Sequence, residues 1–74
     1  MERGTDHIRL ESKIHGQYEC RAADLDKIID EFGHMTLGML RAELEERHGY
    51  APYMITSRTE GFMILAELRG YATN

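Results

Sequence analysis

The chain has 74 residues, a net charge of −4 and a single cysteine, Cys20. That length suffices for one small core, and one thiol excludes an internal disulfide framework. The longest apolar run, Phe62–Ala66, falls far short of the ~20 residues that span a bilayer.

The expected organisation is a frayed segment over 1–6 followed by one globular domain over 7–74. Glu2, Arg3, Asp6 and Arg9 leave no room for a signal peptide, so a cytoplasmic protein with no membrane partner is expected. His7–Ile14 alternates polar and apolar, with Ile8, Leu10 and Ile14 on one face, which is strand period. His15-Gly16 serves as a turn, and Gln17–Arg21 returns as a second strand with Tyr18 and Cys20 on one face. A first helix starts near Ala23 or Asp24, capped by Asp24, and carries Leu25, Ile28, Ile29 and Phe32 on one face. A second, capped by Thr36, buries Leu37, Leu40 and Leu44, while Gly38 inside it suggests close helix packing. Gly49–Tyr53 is a loop because of Pro52.

Beyond the loop two readings compete. Ser57 and Glu60 fit a capping box opening a third helix to Arg69, with Phe62, Leu65 and Leu68 buried. Alternatively, Tyr53–Thr56 and Phe62–Leu65 form a second hairpin around Thr59-Glu60-Gly61. The fold class is therefore α+β: an N-terminal β-hairpin followed by three short helices, the alternative being two helices and a second C-terminal β-hairpin. Gly33, Gly49 and Gly70 each follow an apolar segment, and the left-handed conformation open to glycine is expected at all three.

Little of this composition suits catalysis. His7, His15, Cys20, His34 and His48 lack the paired spacing of a zinc site, so no metal or other cofactor is expected. Cys20 on a core-facing strand position reads as a buried, inert thiol. Ser57 is occupied as a cap, and no phosphate-cradling glycine motif is present. The expectation is a protein that is not an enzyme. Met35, Met39, Met54 and Met63 either fill gaps in a small core or serve a binding face.

Charge is uneven along the chain. Residues 19–46 carry Glu19, Asp24, Asp26, Asp30, Glu31, Glu43, Glu45 and Glu46 against Arg21, Lys27 and Arg41. Such a surface repels phosphate and attracts basic partners. The leading expectation is a small acidic protein-binding module, an adaptor or inhibitor. It docks on a protein with a basic surface or groove through Asp26, Asp30, Glu31, Glu43, Glu45 and Glu46, with Tyr50 and Tyr53 as anchors. In size and charge it is similar to small phage-encoded inhibitors, the anti-CRISPR proteins among them. Dimerisation would relieve the shortage of core in so short a chain, so a homodimer is also considered.

A second resemblance supplies the alternative. Thr36–His48 followed by Ser57–Gly70, closing on Leu65, Leu68, Gly70 and Tyr71, resembles the paired helices of winged-helix regulators. The resemblance implies a DNA-binding transcriptional regulator using Arg58 and Arg69. The connection Gly49–Thr56 is longer than the ~3–4-residue turn of a helix-turn-helix, and Glu60 and Glu67 oppose the two arginines, so nucleic acid is the less favoured partner.

Overall fold

The computed structural model describes residues 6–74. Strands β1 (His7–Ser12) and β2 (Gly16–Arg21) form an antiparallel hairpin, with His7 opposite Arg21 and Ser12 opposite Gly16. β1 stops earlier than the alternation predicts. The Ser12 hydroxyl accepts from the backbone N–H of Ile14 (3.2 Å) and of His15 (3.1 Å), which bends the chain into a turn. Ile14 is thereby carried off the strand face and left exposed. Gly16 completes the turn at φ +84°. Of the frayed segment expected over 1–6, only Asp6 lies within the described residues, and its carbonyl accepts from Ala22 N–H at 2.7 Å.

Helix α1 (Ala22–Phe32) follows β2 without a loop. Asp24 does not cap it: it lies in the first turn and accepts from Arg21 Nε at 3.0 Å. Leu25 and Ile28 are buried, but Ile29 faces solvent, so the apolar face is narrower than the periodicity suggests. Helix α2 (Leu37–His48) is capped by the Thr36 hydroxyl, which accepts from Met39 N–H, and buries Leu40 and Leu44. After a short 3-10 turn at Pro52–Met54, helix α3 (Arg58–Leu68) begins behind Ser57, whose hydroxyl accepts from Glu60 N–H at 3.1 Å. The three-helix reading of the sequence is therefore the observed one. Leu68 lies exposed beyond the buried part of α3.

Gly49 and Gly70 adopt the left-handed conformation, at φ +75° and +80°, but Gly33 does not. It stays right-handed, its N–H bonded to Ile29 O, and α1 ends without a reversal of hand. Gly38 is exposed and touches no neighbouring helix. The close approach occurs at Gly61 instead, where a Cβ would stand 3.2 Å from Leu40 Cδ1. The sequence also gives no sign of β3 (Ala72–Thr73), which pairs antiparallel with β2 and makes it the central strand of a β1-β2-β3 sheet.

α3 is the hub. Seven consecutive residues, Glu60–Ala66, are buried, and the helix packs on α1, α2 and all three strands. Tyr18, Cys20, Leu25, Ile28, Leu40, Leu44, Ile55 and Ala72 close around it. Met63 belongs to this core, Met35 and Met54 lie at its margin, and Met39 is exposed. No helix among the described residues is long and apolar enough to cross a membrane.

Candidate functional site

The carboxylates expected to form one acidic face divide into two groups. Glu31 and Glu43 line the same cleft of about 620 Å³, where the ends of α1 and α3 meet α2. Both are engaged there. The Arg69 guanidinium donates to the two Glu31 oxygens at 2.8 and 2.7 Å, and Arg47 Nε lies 2.8 Å from Glu43. The hydrogen bond from Arg69, and then its charge, hold the Glu31 carboxyl below its ordinary range. Phe32, Leu65 and Leu68 supply apolar lining between these pairs. Asp26, Asp30, Glu45 and Glu46 are exposed and make no ion pair among the described residues.

The tyrosines expected to act together are unlike. Tyr53 is 73% exposed on the 3-10 turn. Tyr50 is half-buried with its ring edge on His15, and burial, then the charge of Glu67, pushes its phenol up.

The two arginines considered for DNA are both occupied. Arg58 donates from Nε to Met35 O at 3.0 Å and from its terminal nitrogen to Gly33 O, and its guanidinium lies over the Phe62 ring. It ties the α1–α2 connection to the start of α3, supplying the carbonyl partners that an unreversed Gly33 leaves open. Arg69 is held by Glu31 and lies over the Phe32 ring. As placed, neither projects freely toward a phosphate.

A second constellation lies at the hairpin tip, and the sequence reading missed it. Glu60 is 4% exposed and its carboxylate accepts from Ser12 Oγ at 2.9 Å and Thr56 Oγ1 at 2.6 Å. The capping box is thus only half formed: Ser57 caps Glu60, but the Glu60 side chain turns to the hairpin rather than back to Ser57. His15 Nε2 donates to Met54 O at 3.0 Å and stands 3.6 Å from Glu60 Oε1. A carbonyl only accepts, so this nitrogen carries the proton. Ser12 and Glu60 lie 48 positions apart, and no local spacing could have joined them.

Beside this group the Tyr18 hydroxyl is buried without a well-formed hydrogen bond, with the Asn74 side chain nearby. Burial, then the charge of Glu67, pushes its pKa well above the ordinary phenol value. Both oxygens of Glu60 are satisfied, and the arrangement holds the hairpin on α3 without exposing a nucleophile.

Cys20 is buried as expected. Burial, and next the Asp24 carboxylate, pushes its thiol up, which suppresses thiolate reactivity. Among the described residues no three His, Cys, Asp or Glu side chains group as metal ligands. No protein-family model, curated protein or solved structure matches this chain.

Proposed function

We propose that this chain is a small non-enzymatic protein-binding module, an adaptor or an inhibitor, that works in the cytoplasm and docks on a basic protein surface through carboxylates of α1 and α2. The observation that carries the reading is the unequal engagement of its charges. Asp26, Asp30, Glu45 and Glu46 are exposed with no ion pair among the described residues. By contrast Arg21, Arg41, Arg47, Arg58 and Arg69 are each held by a carboxylate or a carbonyl. Free carboxylates meet a basic partner without breaking an internal bond, whereas an engaged guanidinium must leave its partner before it reaches phosphate. Tyr53 and the apolar lining of the 620 Å³ cleft add contact area of the kind that anchors interfaces. A groove that ordinarily holds nucleic acid is one such basic surface, with helix carboxylates standing in for phosphates.

The test is affinity capture from native lysate, with and without nuclease. It compares the wild type with Asp26→Asn/Asp30→Asn/Glu45→Gln/Glu46→Gln. The expected result is a basic protein that survives nuclease, is lost in the variant and is released by salt, while the variant keeps its circular dichroism spectrum. A partner retained by the variant would refute the proposal. So would recovery of nucleic acid that Arg58→Ala or Arg69→Ala abolishes, an outcome that restores the DNA-binding reading.

A further inference from the structure

β1 is an edge strand, and its outer side has no strand partner among the described residues. The backbone that faces outward can be named. Ala22 N–H bonds to Asp6 O, one step beyond the His7–Arg21 pair of the hairpin. Pairs in an antiparallel ladder alternate in their bonding. The even residues of β1 therefore turn their N–H and C=O groups toward β2, and His7, Arg9 and Glu11 turn theirs outward. These are also the exposed side chains of the strand, while Ile8, Leu10 and Ser12 point to the helix side.

An edge of this kind is a template for another strand, and many proteins block theirs with charged side chains, a proline or a bulge. This edge has no proline, and the charged side chains at its outward positions, Arg9 and Glu11, are opposite in sign, so a second copy can match them instead of being repelled. Two antiparallel copies must set odd residues opposite odd residues, so few registers exist. Arg9 opposite Arg9 places like charges on the axis. Glu11 opposite Glu11 does the same. Arg9 opposite His7 gives Arg9 no acidic partner. Only Arg9 opposite Glu11 matches both residues with opposite charge, and symmetry makes the match twice. Arg9 now lies 3.6 Å from Glu19 with most of its side chain exposed, and Glu11 makes no ion pair among the described residues. Both have capacity to spare.

We infer that a second copy of this chain adds its β1 antiparallel to this edge, with Arg9 of each copy opposite Glu11 of the other, so that two three-stranded sheets become one. Each Arg9–Glu11 pair exchanges two backbone hydrogen bonds. The register places Leu10 on the two-fold axis facing Leu10 of the second copy, on the helix side of the sheet. A cleft of about 530 Å³ opens along that same edge, lined by Leu10, Ser12, Ile14, Thr56, Ser57 and Glu60. It offers space beside Ile14, which is 43% exposed in the monomer, for the apolar side chains that the pairing brings in. The acidic residues of α1 and α2 take no part, so each dimer would present the proposed docking carboxylates twice.

Sedimentation velocity over a concentration series tests the inference. The wild type is expected to move from monomer to dimer mass as concentration rises. Arg9→Glu and Glu11→Arg each set like charges opposite one another and are expected to remain monomeric. The double variant Arg9→Glu/Glu11→Arg restores opposite charges and is expected to dimerise as the wild type does. These positions are exposed, and circular dichroism checks that each variant is folded. Register is read independently by oxidation: Leu10→Cys lies in disulfide range of itself across the axis and Ile8→Cys does not, and the native Cys20 is buried. A covalent dimer from Leu10→Cys alone supports the pairing. A wild type that stays monomeric throughout, a dimer indifferent to the single reversals, or a double variant that remains monomeric overturns it.

Discussion

Glu60 is the residue on which the hairpin and the helices depend jointly. Its carboxylate serves two hydroxyls, one 48 positions away and one 4 positions away, and is itself almost wholly buried. Glu60→Ala leaves both hydroxyls without their acceptor, and a loss of about 2 kcal/mol in urea unfolding is expected. Tyr18 is the opposite case. Its hydroxyl is buried without a well-formed hydrogen bond, so Tyr18→Phe is expected to leave stability unchanged or raise it. The pH dependence has a definite sign. The folded phenol titrates above the unfolded value of about 10, so the wild type loses stability as the pH rises past that value. Tyr18→Phe should weaken that alkaline loss, and identical alkaline limbs for the two proteins would count against the assignment. Neither residue's role was legible in the sequence. The strand period put Tyr18 on one face with Cys20, but nothing local told that its hydroxyl would be buried, and Glu60 carried a capping signal that is only half realised.

At the scale of elements, the sequence spoke most clearly where periodicity and a cap agreed. Leu37, Leu40 and Leu44 behind Thr36 specified α2, and Ile8, Leu10, Tyr18 and Cys20 specified the hairpin. Residues 62–66 were ambiguous because a continuous apolar run suits a buried helix and a buried strand equally. The Ser57 cap resolves that ambiguity in favour of helix, and burial on nearly every side explains why the run has no polar face. β3 could not be read because two residues carry no period. The glycines make a direct test of helix packing. Gly38→Ala, in open space on α2, should stabilise by roughly 0.5–1 kcal/mol. Gly61→Ala should forgo that gain, since its methyl meets Leu40 at 3.2 Å. Denaturation midpoints that rise equally for both would show that α2 and α3 are not in close contact there.

For the whole molecule, the candidate docking surface was legible in charge but not in geometry. The sequence located the acidity on the first two helices. It could not tell that Glu31 and Glu43 would be drawn into ion pairs in a shared cleft, because Arg69 reaches Glu31 from 38 positions away. Two ion pairs, Arg21–Asp24 and Arg69–Glu31, contribute to how the molecule responds to acid. Hydrogen bonds from Arg21 and Arg69 hold the Asp24 and Glu31 carboxyls below their ordinary range. Their contribution is therefore present above the unfolded values of about 4 and is lost as the pH falls through the lower folded values. Arg69→Gln should lower stability at neutral pH and flatten the acid limb of a stability–pH profile. A profile of unchanged shape would mean that Glu31 titrates as a free side chain.

The place of β3 in the sheet bears on how the chain is made. β2 is the central strand, yet its second neighbour comes from Ala72 and Thr73, some fifty positions downstream. At about 5–20 residues per second, a ribosome needs roughly 3–10 s to travel from the end of β2 to Ala72. Throughout that interval the nascent hairpin has two open edges, and its apolar face waits for α3 as well. The central strand of this sheet thus waits for its second neighbour until nearly every other described element has been made.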